Sequence, residues 1–469
     1  MLTYLQNKEY QMSSSTTSST AKMPKGIPFI IGNEAAERFC YYGMRAILVV
    51  YMTQYLFGMN GQLAHVDEPT AKGWYHLFCS AAYFTPLIGA IISDVFWGKY
   101  KTIMRLSIVY AIGCFVLALV SNTAGMVVGL TLIAIGSGGI KPVVSANVGD
   151  QFTKENQHLI KKVFSVFYFA INFGSFFSTL LTPLLLECYG PKVAFSVPGF
   201  LMLLATLVFW IGRTRFTVMP PSGIKQYKDA LTSPEGKKAL LHLSGFFLII
   251  SFFWMLFDQS SAAWILQADR MDRVVDLRFW IFQADWMRFE PLASQTHAMN
   301  PIMVMLFIPV FTYGIYPWIQ KLVNVTPMRK MTVGMLVAAL SFVIIAVAEQ
   351  HLQDGEVVHI IWQFWAYILL TMAEIMVSIT SLEFAYTQAP TNMKSIIMGL
   401  YLLSTTIGNL FTAAVNFFII NPDGTVKLQG ADYYWFFTAL IVLASAIFGV
   451  ASIFYKEESY IQEHGQAAT

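Results

Sequence analysis

An all-α chain that crosses a membrane many times is the fold class this sequence predicts, on three observations. Its 469 residues are 56% hydrophobic. Only 12% of them are charged, against about 25% in soluble domains. Apolar stretches of about 20 residues, enough to cross a bilayer as helix, recur from residue 27 to residue 455 with polar breaks between them. The net charge of +3 is spread over many loops, so no nucleic-acid partner is expected.

Taken in order, residues 1–26 are polar, with a Ser/Thr run from Ser13 to Thr20, and read as a disordered tail without a cleavable signal peptide. About twelve candidate spans follow, near 27–57, 72–95, 102–121, 125–148, 162–186, 192–212, 240–264, 300–323, 329–348, 359–386, 393–420 and 433–455. The break from Arg213 to Lys238 is polar and bears Pro, Gly and Lys, so it divides the spans into two sets of equal number. The layout predicts an N-terminal six-helix bundle (27–212), a linker (213–239), a C-terminal six-helix bundle (240–455) and a tail (456–469). Two such bundles around a central cavity are the plan of many secondary carriers.

Loop charges set the orientation. Lys22 and Lys25, Lys99 and Lys101, Lys154, Lys161 and Lys162, the linker lysines and arginines, Lys321, Arg329 and Lys330, Lys394 and Lys456 all fall on alternate loops. The positive-inside rule then places both termini and the linker in the cytoplasm. Ala268 to Ala298 is long for a loop and mixes charges with Trp280, Trp286 and Phe289. It either extends the seventh helix beyond the membrane or lies on the surface as an amphipathic piece. Cys40, Cys79, Cys114 and Cys188 lie in or at the ends of apolar segments without ligand spacing, so they read as reduced packing residues and no metal site is expected.

Ionisable residues inside the spans are the candidates for chemistry. In the first span, Glu34, Glu37, Arg38, Tyr41, Tyr42 and Arg45 share one helical face. A charge at the bilayer centre costs roughly 2.5–3.5 kcal/mol on insertion scales, so the stripe must face protein or water. It reads as a polar pathway through a transporter; the alternative is an ion cluster that only locks helices together. Lys141, after Gly136-Ser-Gly-Gly-Ile in the fourth span, needs a carboxylate, for which the first-span glutamates are the natural candidates; the alternative is snorkelling to the interface. Asp258 and Gln259 interrupt the apolar run of the seventh span. An acid there, facing Arg45 or Lys141, suits a salt bridge made in one conformation only, or else a helix cap. Glu374 in the tenth span needs a cation, from the protein or from a substrate amine, whereas Glu383 reads as structural.

Asn172 and Asn300 are neutral hydrogen-bonders suited to gluing helices or meeting a ligand. His76 opens the second span with Tyr83 on its face, and an ordinary histidine there suits proton exchange with the exterior. His65, His158, His242, His297, His351, His359 and His464 fall in loops or at span edges. No G-x-x-x-x-G-K-[ST] loop occurs, so an ion gradient rather than ATP is the expected energy source. No G-x-S-x-G elbow occurs either, and no enzymatic activity is expected.

Four ordered blocks carry a family resemblance. Glu34-x-x-Glu37-Arg38-Phe39-x-Tyr41-Tyr42-Gly43 resembles the first-helix signature of the proton-dependent oligopeptide transporters, a branch of the major facilitator superfamily. Gly89 to Ile103, Phe164 to Ser175 and Ala373 to Ser395 are similar to that family's second-to-third-helix, fifth-helix and tenth-helix blocks. The resemblance runs from about residue 27 to 455. It implies the major facilitator fold and proton-coupled symport of di- and tripeptides into the cell, with the proton as coupling ion and no other cofactor. Partners would then be small peptides, protons and membrane lipid.

Carried over by position, the resemblance makes Glu34, Glu37, Arg38 and Lys141 the proton-coupling network. His76 matches a histidine that animal members use for coupling. Arg38, Lys141 and Tyr42 would face the peptide carboxylate, and Glu374, Asn172 and Asn300 its amine. Arg45 and Asp258 would form an extracellular gate, and Tyr83 would line the site. Tyr41, Tyr42, Tyr83, Tyr168 and Trp254 would make a roomy side-chain pocket. Asp258 stands where a longer Glu is common, and Tyr401 where Trp is frequent. With no apolar helix pair in the linker and no large external domain after the ninth span, a bacterial inner-membrane member fits best. The alternative is a carrier of the same fold for another small anion or zwitterion, such as nitrate or an amino-acid conjugate.

Overall fold

The computed structural model of the chain describes residues 23–58, 62–153, 156, 159–221, 223–278, 284–388 and 394–454. Most of both expected tails, Lys154, His158, Trp280 and the 389–393 part of the tenth-span block lie outside the described residues.

Ten described segments are long and apolar enough to cross a membrane. One of them, Val166–Arg215, overlaps the helical run Ile160–Ile211, whose 52 residues break at Gly190, with φ 75° and ψ 178°. Unbroken, that run would measure roughly 78 Å, against a hydrocarbon core of about 30 Å. Gly190 tolerates the positive φ and Pro191 cannot donate back into the preceding turn, so the run is two spans. Counting these separately and adding the charged first helix, Ile27–Val50, brings the described spans to the expected twelve.

Short polar side chains start several of them. Asp67 accepts from the Thr70 amide at 3.0 Å, Asn122 from Gly125 at 2.9 Å, Ser233 from Gly236 at 3.0 Å and Thr326 from Arg329 at 3.3 Å. The second helix, Glu68–Ile91, therefore begins a turn earlier than the hydropathy pattern predicts. His76 consequently lies in its interior, fully buried, rather than at an exterior-facing end.

Apolar side chains pack into two principal cores. Ile30, Ile47, Tyr110, Phe195 and Phe209 belong to one, built chiefly from the first six spans. Phe253, Trp264, Phe342, Tyr367 and Phe437 belong to the other, from the last six. Ala262 and Leu266, from the seventh span, reach into the first core. Within the first half, the second helix and the fourth, Thr123–Asp150, approach so closely that a Cβ on Gly89 would overlap Gly139. That contact carries Ser137 and Lys141 toward the first helix.

Irregular turns fall at the polar positions. The seventh span runs as Pro234–Phe257, a tight turn Asp258–Ser261, a break at Ala262 (φ −136°, ψ −84°) and Ala263–Asp269. The tenth runs as Ile361–Glu374, then a π turn Ile375–Ile379 beginning just after Glu374. Such interruptions inside spans are tolerated where protein or a cavity re-satisfies the backbone.

One loop alternative is overturned. The seventh helix ends at Asp269 and does not extend through the described residues of Ala268 to Ala298. Val275–Asp276 pairs antiparallel with Arg288–Phe289. The chain doubles back because its start is tied to the ninth-to-tenth loop: Asp272 donates to the Val358 carbonyl at 2.9 Å and accepts from Ile360 at 2.8 Å. The linker carries a nine-residue helix, Ile224–Thr232, entered through Gly223 at φ 83°. Its content is polar, with Lys225, Lys228 and Asp229, which hydropathy alone does not register.

Candidate functional site

The first helix delivers its charged stripe to the interior, with Glu37 fully buried and Glu34 and Arg38 nearly so. Arg38 Nε donates to Glu34 Oε1 at 2.8 Å across one helical turn, and Glu37 Oε2 lies 2.8 Å from the same nitrogen. Ser137 Oγ, from the fourth helix, donates to Glu37 Oε1 at 2.6 Å. Glu34 Oε2 is buried without a hydrogen-bond partner, whereas Glu37 Oε2 meets Arg38 as an ion pair that lacks hydrogen-bond alignment. A buried carboxylate oxygen left without a partner is destabilised, and a proton is one group that would satisfy it.

Lys141 differs from expectation. Its ammonium is buried, so it does not snorkel, yet it has no hydrogen-bond partner. It sits 3.7 Å from the centroid of the Tyr41 ring and 4.4 Å from that of Tyr83. Arg38 reaches both carboxylates from their own helix, Ser137 caps Glu37 Oε1, and the remaining Glu34 oxygen makes no hydrogen bond to the lysine. The lysine is left to aromatic faces, which attract a cation by their quadrupole. Tyr41 is accordingly buried beneath Lys141 rather than exposed on a pocket wall.

Two turns along the first helix, Arg45 crosses to the other half. Its Nη2 lies 2.7 Å from Asp258 Oδ1, and its Nε and Nη2 donate to the Tyr75 hydroxyl at 2.8 and 2.6 Å. Asn409, from the eleventh helix Lys394–Phe418, donates to Asp258 Oδ2 at 2.6 Å. His76 Nδ1 meets Asn409 Oδ1 at 2.8 Å. The shorter Asp therefore reaches its arginine. The same contacts place His76 in this cross-half network and away from the Glu34–Glu37–Arg38 cluster.

Between the halves lies a cavity of about 200 Å³ whose walls include Tyr42, Tyr83, Tyr168, Asn172, Trp254, Asn300 and Glu374, with Arg45 at its edge. Glu374 Oε2 accepts from Asn300 Nδ2 at 2.7 Å, and that amide also reaches Thr371 Oγ1 at 3.2 Å. An amide, not a cation, is thus the partner of Glu374, which leaves its charge facing the cavity. Asn172 instead donates to the Tyr168 carbonyl of its own helix at 2.9 Å. Arg38, Lys141, Glu34 and Glu37 do not line this cavity; Tyr83 bridges, one face to Lys141 and the side chain on the wall. A larger cavity of about 600 Å³, bordered by Phe176, Phe289, Ile302 and Phe364, is almost wholly apolar and touches none of these groups. Chemistry therefore points to the smaller one.

Sequence reasoning missed Ser137, Tyr75, Asn409 and His297. Asn409 and Ser137 are polar residues within spans, a signal available in the sequence. His297, expected at a span edge, is buried and lines the cavity one turn before Asn300. The turn Ala293–Ala298 starts the eighth span before the expected residue 300.

The chain matches the model of the POT family over residues 100–228 and 223–436. It is 36% identical to solute carrier family 15 member 2 of Homo sapiens over 71% of this chain and 50% of that protein. The chain spans about half the length of the curated relatives it matches. Among solved structures it is similar to an auto-inhibited POT family peptide transporter, with a TM-score of 0.83 and 33% identity, covering 94% of this chain and 99% of that one. A proton dependent oligopeptide (POT) family transporter matches with a TM-score of 0.74 and 35% identity, over 90% of this chain and all of that one.

Proposed function

This chain belongs to the POT family, and from that premise we propose that it carries di- and tripeptides into the cell together with protons, by alternating access. The observation that carries the reading is a division of charge. A carboxylate pair, with one buried oxygen of Glu34 lacking a hydrogen-bond partner, holds Arg38 in one half, and Glu374 faces a small cavity from the other. A short peptide is a zwitterion whose ammonium fits Glu374 and Asn300. Its carboxylate fits Lys141 or Arg38 once either is free.

Coupling follows from the occupancy of Arg38. While Glu34 and Glu37 are ionised they hold the guanidinium. A proton on either weakens that hold and releases positive charge toward the substrate, the titration belonging to the cluster as a whole. The Arg45–Asp258 pair closes one end and must break for the cavity to open there. Loop charges put that end outside and both termini in the cytoplasm, and a bacterial inner membrane is the proposed location.

Purified protein in liposomes, supplied with labelled Ala-Ala and an acidic exterior, is expected to concentrate peptide and to stop when an uncoupler is added. Uptake indifferent to the proton gradient would overturn the proposal. The presence of Glu374 on the wall disfavours an anion carrier, for which Glu374→Gln would leave transport intact.

A further inference from the structure

We propose that His297 is the positioning residue through which an occupant of the cavity is felt at the Arg45–Asp258 pair. The inference rests on the peptide-transport reading for the identity of that occupant.

Asp258 stands at the start of a four-residue turn, Asp258–Ser261, that interrupts the seventh span, and all four residues are buried. Side chains pin the turn at three places. Asp258 is bound by Arg45 and Asn409. The Ser260 carbonyl accepts from the Tyr367 hydroxyl at 3.0 Å. Ser261 Oγ lies 3.0 Å from His297 Nε2 and 3.2 Å from Nδ1. Beyond Ser261 the backbone at Ala262 leaves helical geometry, so no continuous ladder holds the turn from that side.

Of the side chains that grip the two serines, Tyr367 at Ser260 and Tyr75 at Ser261 lie off the cavity wall, and His297 lies on it. His297 also precedes Asn300 by three residues, about one turn, so its imidazole and the amide that binds Glu374 point to one volume. A peptide whose ammonium sits at Glu374 and Asn300 presents its first amide groups within reach of His297. Imidazole has one donor and one acceptor nitrogen when neutral, and both edges are near Ser261. Ser261 Oγ can bond only one of them at a time, and a substrate group that takes that nitrogen displaces Ser261. The displacement removes one of the pins from the turn that holds Asp258, and the cross-half pair loosens. No proton need move for this to happen.

Spin labels on the native Cys188, which is exposed, and on a cysteine introduced by Val357→Cys, an exposed site in the other half, report the separation at this end. Cys40, Cys79 and Cys114 are buried and do not label. Peptide binding is measured in parallel on the same reconstituted protein, with Ala-Ala as the probe. Saturating Ala-Ala is expected to move the wild-type distribution toward longer separations. In His297→Ala that shift should be lost while Ala-Ala still binds, with affinity reduced no more than about tenfold, the loss expected for one hydrogen bond. His297→Gln, which keeps a donor and an acceptor, should restore most of the shift.

Ser261→Ala, without peptide, should already show part of the longer-separation population. A normal peptide-induced shift in His297→Ala, or an unchanged peptide-free distribution in Ser261→Ala, would overturn the inference. If the wild type binds no Ala-Ala, the peptide reading fails instead, and the Ser261→Ala measurement still decides whether this serine holds the gate.

Discussion

Arg38 and Arg45 lie seven residues apart on the same face of one helix, and both are buried and ion-paired, yet they answer to different partners. Arg38 is held by Glu34 and Glu37 from its own helix. Arg45 is held by Asp258 from the opposite half. A pair within one helix persists whatever the halves do, so only a change of charge releases it. A pair between halves breaks when they part, so its state reports conformation. Two turns of helix therefore separate a group suited to sensing protons from a group suited to sensing shape.

The contrast is broken most sharply at Glu37. Glu37→Gln is expected to abolish concentrative uptake of dipeptide while sparing peptide-for-peptide exchange, because exchange need not release the proton. Vesicles of this variant that still accumulate peptide from an acidic exterior would move coupling away from the Arg38 cluster.

The acid on the far wall comes next. Glu374→Gln, or acetylation of the peptide amine, should weaken binding by about tenfold to a hundredfold, the worth of a charge-assisted hydrogen bond of about 1.5–3 kcal/mol. Competition assays in which blocked and free dipeptides perform equally would remove Glu374 from the amine site.

A smaller effect is expected at Arg45. Neutralising Arg45 or Asp258 should slow transport and change peptide affinity less than Glu374→Gln does. The exchange of Arg45→Asp with Asp258→Arg should recover part of the rate. A double-mutant cycle on transport rate is expected to give a coupling of about 0.5–3 kcal/mol. Additive losses would mean that the two residues act separately.

The smallest concerns Lys141. Tyr41→Leu removes the nearer of its two aromatic faces and should cost about 0.5–2 kcal/mol of stability, read as a lowered melting temperature. The same substitution in a Lys141→Met background should cost less. Equal costs in both backgrounds would mean that Tyr41 stabilises by packing alone.

Legibility differed between the two arginines for the same reason that their partners differ. Glu34, Glu37 and Arg38 are neighbours in sequence, so helical periodicity alone places them together. Arg45 and Asp258 are 213 residues apart; charge alone left Arg45 and Lys141 as alternatives for the acid, and only the family resemblance singled out Arg45. Lys141 shows the limit of charge counting. A buried lysine was expected to find a carboxylate, but Arg38 makes the ion pairs to Glu34 and Glu37, and Lys141 lies against Tyr41 and Tyr83. His76 shows the limit of hydropathy, since the cap at Asp67 moved the helix start and buried the ring.

By itself the sequence determined how often the chain crosses the membrane, which spans carry charge, and that those charges need protein or water around them. Those conclusions follow from local sums of transfer free energy, which depend on composition and period along a single helix. Tertiary structure alone decided that Asn409 and His76 join the Arg45–Asp258 network, that Glu374 bonds an amide and keeps its charge toward a cavity, and that His297 faces the same volume. Each of these depends on the angle and offset between helices distant in sequence. Those are set by close contacts such as Gly89 on Gly139 and by breaks such as Ala262, where a few tenths of an ångström decide which polar atoms can meet.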